Sequence, residues 1–86
     1  MPDWYSEEKI AKTIDIREML HAGEQPVHEV LSAMKKLSKG EILEVIAPFI
    51  PAPLLDKASS LEYVHWLHNV SEEEFRVYFS SEAASG

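Results

Sequence analysis

The arrangement of apolar and polar residues along the chain predicts four strands. Apolar and polar residues alternate at 13–17 and again at 75–79, which is the period of a half-buried strand. Residues 41–47 and 63–70 are also predicted as strands, and the first of these two is apolar enough to lie inside a sheet. Residues 19–25, between the first strand and the next apolar run, are predicted as a loop.

Two helices are predicted between these strands. The clearer one covers residues 26–38, where apolar residues recur at helical spacing on one face and polar residues fill the other. Pro26 suits the first helical position, and Gly40 suits the left-handed residue just past the end. A second helix is predicted near residues 53–60. We expect the following core residues to be buried: Val30, Leu31, Met34, Leu43, Val45, Leu54, Val77 and Phe79.

The predicted order of elements is β-α-β-α-β-β. Short crossovers between the first strands require a parallel pair with right-handed connections, so both helices lie on one face of the sheet. The predicted fold class is α+β, a two-layer sandwich in which both helices cover one face of a four-stranded mixed sheet. We divide the chain into an N-terminal extension (residues 1–11), a domain (12–80) and a flexible tail (81–86), and expect Trp4 and Tyr5 to lie back on the domain.

Length, charge and cysteine content narrow the possible functions. Eighty-six residues make one domain, and no apolar run approaches the roughly 20 residues of a membrane-spanning helix. The chain carries 15 acidic and 8 basic residues, a net charge of −7 that repels nucleic acid. The basic cluster Lys35, Lys36 and Lys39 is interpreted as a solvated helix end. Since cysteine is absent, we expect a reducing, cytoplasmic location.

Several segments together resemble TusA/SirA sulfur-carrier domains from about residue 13 to residue 79. The segments that carry the resemblance are Ile14-Asp15-Ile16-Arg17, the helix start at Pro26, Gly40-Glu41, residues 48–54 and residues 75–79. The chain is most similar to a cysteine-less branch of unknown function. This resemblance implies the strand order 1-2-4-3, with the last strand antiparallel to its neighbours.

The chain departs from the sulfur-carrier pattern at the residue that carries sulfur. In those carriers a Cys-Pro-x-Pro motif leads into the first helix. Matching its last proline to Pro26 puts Gly23 at the cysteine position and Glu24 at the first proline, so the carrier mechanism does not transfer. Some members of the cysteine-less branch have histidines where this chain has Gln25 and Phe49, so a metal or haem site does not transfer either.

The starts of both predicted helices emerge at one edge of the sheet, where open sheets tend to bind ligands. We therefore expect a non-enzymatic accessory domain that acts on a protein partner through this edge. The alternative is a small-molecule or anion-binding module at the same edge, because helix N-termini present free N–H groups and a positive dipole end. The predicted edge consists of Gly23, Glu24, Gln25, Pro26, His28, Pro48, Phe49, Pro51 and Pro53.

A third hypothesis is metal or redox sensing through two histidines. His21 lies in the predicted loop before the first helix and His28 in the first turn of that helix, and Glu24 is the nearest third ligand. We favour the simpler interpretation of two solvent-exposed histidines. No catalytic residues and no cofactor are expected from the sequence, and the resemblance implies a redox-associated protein as the partner.

A rival working surface is the sheet face opposite the helices. Ile42, Ile46, Tyr63 and Tyr78 are expected to form an apolar patch there that suits self-association. The corresponding oligomeric state is a monomer or a weak homodimer.

Overall fold

The computed structural model describes residues 2–24 and 26–81 of the chain. Within these residues the chain forms a short 3-10 turn (Glu7–Lys9), four strands and three α-helices. The strands are β1 (Ile10–Asp15), β2 (Ile42–Ala47), β3 (Val64–Ser71) and β4 (Glu74–Ser80), and the helices are α1 (Ile16–His21), α2 (Pro26–Lys35) and α3 (Ala52–Ser60). Apart from Ser81, the predicted tail lies outside the described residues.

The four strands form one mixed sheet in the order β1-β2-β4-β3. β1 and β2 are parallel, whereas β4 runs antiparallel to both β2 and β3. This arrangement confirms the predicted α+β fold class, including the strand order and the direction of the last strand. No helix in the described part of the chain is long and apolar enough to cross a membrane.

One face of the sheet carries the hydrophobic core. A row of apolar side chains crosses all four strands in register, and the helices add Val30, Met34, Leu54 and Ala58 above it. Burial of these side chains on a single face is what places α2 and α3 in one layer. All residues predicted to be buried are buried except Leu31. The prediction is wrong for Leu31 because this side chain lies partly exposed at the margin of the core. The row across the strands is Ile14, Val45, Val77 and Leu67.

Helix α1 is the main departure from the sequence prediction. The first strand begins earlier than predicted and ends at Asp15, and the first three residues of the predicted loop (19–21) are helical. Asp15 is the N-cap of α1, and its carboxylate accepts a hydrogen bond from the Arg17 backbone N–H at 3.0 Å. Helical spacing then places Ile16 and Met19 against the core. The first strand was therefore mispredicted at its end.

Helix α2 ends earlier than predicted. Its last helical residue is Lys35, and the chain continues with shorter-range bonds from the Lys36 N–H to the Ala33 carbonyl and from the Leu37 N–H to the Met34 carbonyl. Gly40 has a positive φ of 87°, but it lies in the turn before β2 rather than directly after the helix. Its left-handed conformation was predicted, whereas its place in the fold was not.

The sheet face opposite the helices is covered in part by the N-terminal segment (residues 2–9). The Tyr5 ring lies edge-on against Trp66, with ring centroids 5.0 Å apart, and against Tyr78, at 4.7 Å. These contacts confirm for Tyr5 the expectation that it lies back on the domain. They also form a second, small aromatic cluster outside the main core.

The apolar patch expected on this face is not exposed. Ile42, Ile46 and Tyr78 are buried. Tyr63 lies on the opposite side, where it packs against the core and donates a hydrogen bond from its hydroxyl to the Met34 carbonyl at 3.3 Å. The prediction of an exposed patch is wrong because the alternation of residues along a strand does not show whether another segment, here the N-terminal one, covers that face.

Candidate functional site

The carboxyl ends of β1 and β2 lie at one edge of the sheet, and three helices begin or end close to it. Helix α1 follows β1 directly, and the loop at residues 48–51 leads from β2 into α3. Proline fixes the backbone of this loop at both of its ends, which limits the conformations of the two apolar residues between them. Those two residues, Phe49 and Ile50, are both exposed.

An apolar hollow of about 220 Å³ lies at this edge. Helix α1 provides two of its lining residues, the start of α2 provides two, and the loop with the start of α3 provides four. Polar side chains do not contribute to the lining, so the hollow can hold an apolar group but offers it no charged partner. The lining residues are Ile16, Leu20, Pro26, Val27, Phe49, Pro51, Pro53 and Leu54.

Three of the five exposed large apolar residues of the described chain lie at this hollow or next to it. Leu20 and Phe49 line it, and Ile50 follows Phe49 in the loop. Phe49 has 47% of its surface exposed, although its ring already contributes to the hollow. Apolar surface that remains exposed in a group is typical of a site where a partner binds.

The link between α1 and α2 is held by a glycine turn. Gly23 has a φ of 78° and follows the C-cap residue of α1. Its N–H donates to the Leu20 carbonyl at 3.2 Å, and the Glu24 N–H donates to the Met19 carbonyl at 2.9 Å. These two bonds are the Schellman pattern, which favours glycine because its backbone adopts a left-handed conformation without strain. The role of Gly23 in the structure is therefore to end α1.

The backbone donors at the start of α3 are already used. The Ala52 N–H donates to the Ile50 carbonyl at 2.9 Å, and the Leu54 N–H donates to the Pro51 carbonyl at 3.0 Å. Pro53, which lies between them, has no N–H. An anion at this helix start would have to compete with those internal bonds, so α3 does not provide the set of free donors that the sequence suggested.

A chain of ion pairs runs across the opposite sheet face, away from the hollow. Arg76 contacts Glu44 at 3.1 Å and Glu74 at 2.8 Å, and Arg17 contacts Glu74 at 3.8 Å and Asp15 at 2.8 Å. The hydrogen bond from the Arg17 side chain lowers the pKa of Asp15 below its usual 3.8, although partial burial opposes the shift. This network joins β1, α1, β2 and β4.

Glu44 is the buried end of this network. Glu44 is 8% exposed, and its carboxylate accepts a hydrogen bond from the Thr13 hydroxyl at 2.9 Å in addition to its contact with Arg76. Burial, followed by the nearby Glu44, raises the pKa of the Tyr78 phenol. The buried carboxylate is thus satisfied by neighbouring strands, which identifies it as a structural rather than an open binding group.

The structure divides the predicted partner edge into two parts. Pro26, Phe49, Pro51 and Pro53 line the apolar hollow, and Pro48 lines a neighbouring hollow that shares Leu20 and Phe49 with it. The other predicted residues do not join them. Glu24 and His28 line a separate, polar hollow beside β1, Gly23 is exposed at the end of α1, and Gln25 lies outside the described residues.

Sequence reasoning did not predict that the hollow is apolar. Ile16, Leu20, Val27 and Leu54 were interpreted as strand, loop or core residues, because each one alone fits those roles. A capping-box pattern, Asp15 followed three residues later by Glu18, is the signal that would have revealed α1 and placed Leu20 at the edge.

The two candidate histidine ligands do not share a hollow. His21 lies beside Asp15, Arg17 and Glu18, whereas His28 lines the polar hollow between α2 and β1. Among residues 2–24 and 26–81, no three His, Asp or Glu side chains are arranged to hold a metal ion. The geometry of the described residues therefore gives the metal hypothesis no site.

One known protein family matches most of the chain. Residues 13–81 match the model of the family described as "Uncharacterized conserved protein (DUF2249)". The chain belongs to this family. No curated protein and no solved structure matches the chain significantly. The DUF2249 match includes every residue of the apolar hollow, but it begins after Tyr5, so the segment that covers the opposite sheet face lies outside it.

Proposed function

We propose that this DUF2249 protein is a non-enzymatic interaction domain that binds an apolar side chain of a protein partner in its apolar hollow. The observation that carries the proposal is the hollow itself: its lining is apolar throughout, and Leu20, Phe49 and Ile50 stay exposed around it. Leaving such side chains in water costs free energy that binding a partner recovers. The polar groups that usually perform catalysis are lacking in its lining.

We further propose that the chain is a relative of the TusA/SirA sulfur carriers that has lost sulfur transfer. The strand order β1-β2-β4-β3 agrees with what the resemblance implies. Gly23, at the position matched to the carrier cysteine, closes the end of α1 instead of supplying a thiol. The same sheet edge then serves to recognise a protein, and a cytoplasmic, redox-associated partner is the setting that the resemblance favours.

The alternative of an anion-binding module has less support. The donors at the start of α3 are used internally, and the hollow beside them is apolar. An anion transferred to such surroundings loses its water without gaining hydrogen bonds, which is unfavourable. An uncharged, apolar small molecule is the form of the small-ligand hypothesis that remains compatible with this lining.

A matched pair of substitutions tests the proposal. Phe49→Ser removes the exposed ring from the hollow, whereas Leu61→Ser removes a similarly exposed apolar side chain (43% against 47%) elsewhere on the surface. Tagged wild-type protein and both variants are used to capture proteins from the source cell, with folding checked by circular dichroism. We expect Phe49→Ser to lose the captured partner and Leu61→Ser to keep it. Equal capture by all three proteins would contradict the proposal.

A further inference from the structure

We propose that the free edge of β3 binds an extended peptide segment whose middle is uncharged and whose ends carry Lys or Arg residues. Within the described residues β3 lies at the end of the sheet and pairs only with β4. An unpaired strand edge presents backbone N–H and C=O groups that another extended segment can pair with. This edge shares no residue with the apolar hollow, so the two proposals are tested separately.

Strand β3 lacks the features that usually protect an edge. Its sequence, VHWLHNVS, has no lysine, arginine, aspartate, glutamate or proline over eight residues. Proteins commonly block edges with charged side chains, prolines or bulges to prevent unwanted pairing. The register irregularity of β3 occurs only at its end, between Asn69 and Ser71. Most of the strand is therefore regular and free of Lys, Arg, Asp and Glu side chains.

The opposite edge of the sheet is protected in the usual way. Strand β1 is shorter, carries Lys12, and has a register irregularity between Ile10 and Lys12. The two edges of the sheet therefore differ: β1 has features that block pairing with another strand, and β3 lacks them. An exposed apolar side chain is present on β3 as well, because Val70 is 49% exposed.

Charge determines which segment fits. Glu62 lies before β3, and Glu72 and Glu73 follow it; all three are exposed. A strand laid along β3 would thus have acidic groups near both of its ends and none beside its middle. Basic residues at the ends of the incoming segment would complement these groups, and the net charge of −7 would attract such a segment.

A second copy of the chain fits this edge poorly. If two β3 strands paired antiparallel about Leu67, each Glu62 would lie opposite a Glu72 of the other copy, because both residues are the same distance from Leu67 along the chain. Like charges in opposite positions destabilise a strand pair, and two chains of charge −7 repel at longer range. The occupant is therefore a partner segment rather than another copy.

The probe for this proposal is a short synthetic peptide of alternating Val and Thr residues with two Lys residues at each end. It is titrated into isotope-labelled wild-type protein, and backbone amide shifts are recorded. We expect saturable shifts along β3. A peptide N-methylated at alternate residues, which cannot donate along one of its edges, should bind at least about tenfold more weakly, because several backbone hydrogen bonds are lost.

Two variants with a new lysine provide the matched control. Val70→Lys places a charge on the β3 edge, and Ala11→Lys does so on β1; both original side chains are exposed. We expect the first to weaken peptide binding and the second to leave it unchanged. Equal affinity for the N-methylated peptide, shifts confined to other elements, or no binding at all would overturn the proposal. So would β3 shifts that depend on protein concentration without peptide, since they would identify self-pairing.

Discussion

Replacing Tyr5 by alanine tests whether the N-terminal segment is part of the folded domain. The Tyr5 ring makes two edge-on contacts, with Trp66 at an interplanar angle of 66° and with Tyr78 at 69°. Each such pair contributes about 0.5–1.5 kcal/mol beyond the burial of its surface. Tyr5→Ala should therefore lower the free energy of unfolding by about 1–3 kcal/mol, a measurable share of the roughly 5–15 kcal/mol typical of a small domain.

The assay is urea denaturation followed by far-ultraviolet circular dichroism at neutral pH. Tyr5→Phe is the control: it keeps both ring contacts and removes only the hydroxyl, so it should stay much closer to the wild type. Fluorescence should show that Tyr5→Ala increases the exposure of Trp66 to water, because an adjacent ring is lost. If Tyr5→Ala unfolded at the wild-type urea concentration with the same slope, the segment would not rest on the sheet and the reasoning would be refuted.

Three further predictions concern the core, the α1 cap and sulfur chemistry. Met34→Ala, at a fully buried site, should destabilise the protein by about 2–5 kcal/mol, whereas Met34→Leu should cost less than about 1.5 kcal/mol; urea denaturation measures both. The pKa of Asp15 is lowered by Arg17, so its charged form stabilises the fold above pH 3.8 and this contribution is lost as the pH falls through the lowered value. Asp15→Asn should thus be less stable than the wild type at neutral pH, and the difference should shrink in acid; a constant difference from pH 7 to pH 2 would contradict the ion pair. Finally, incubation with a cysteine desulfurase and labelled cysteine should leave no stable label, because the chain has no thiol, and retained label would show that the sulfur-transfer argument is wrong.

The sheet and the two longer helices could be predicted because each has a strong local pattern. Strand β2 is apolar except for Glu44 and is paired on both sides, as its sequence indicated. Helix α2 has one apolar stripe that meets the sheet through Val30 and Met34. The strand order depended on more than local pattern, since it came from the handedness of crossovers and from a family resemblance.

Helix α1 could not be predicted from alternation, because Ile14 and Ile16 are buried for different reasons. Ile14 faces the core from a strand, and Ile16 faces it from the first turn of a helix, yet their spacing imitates one continuous strand. The Asp15 cap separates the two elements. Local hydrogen bonding by a side chain, rather than hydrophobic period, decides where the strand ends.

The residues that line the hollow were predicted only in part. Pro26, Phe49, Pro51 and Pro53 were among the predicted edge residues, and all four line it. The apolar nature of the hollow depends on α1, which brings Leu20 beside Phe49. Since the residues of that helix were predicted partly as strand and partly as loop, the polar residues Glu24 and His28 were assigned to the edge instead of Ile16 and Leu20.

The central claim is that the apolar hollow at the sheet edge is the working surface. Its most direct test is amide chemical-shift mapping of isotope-labelled protein in extract from the source cell. The account predicts changes at the amides of residues 16–20, 27, 49, 50, 52 and 54, and it predicts that Phe49→Ser abolishes them while Leu61→Ser does not. Changes confined to β3 or to the opposite sheet face, with the hollow amides unmoved, would contradict the claim.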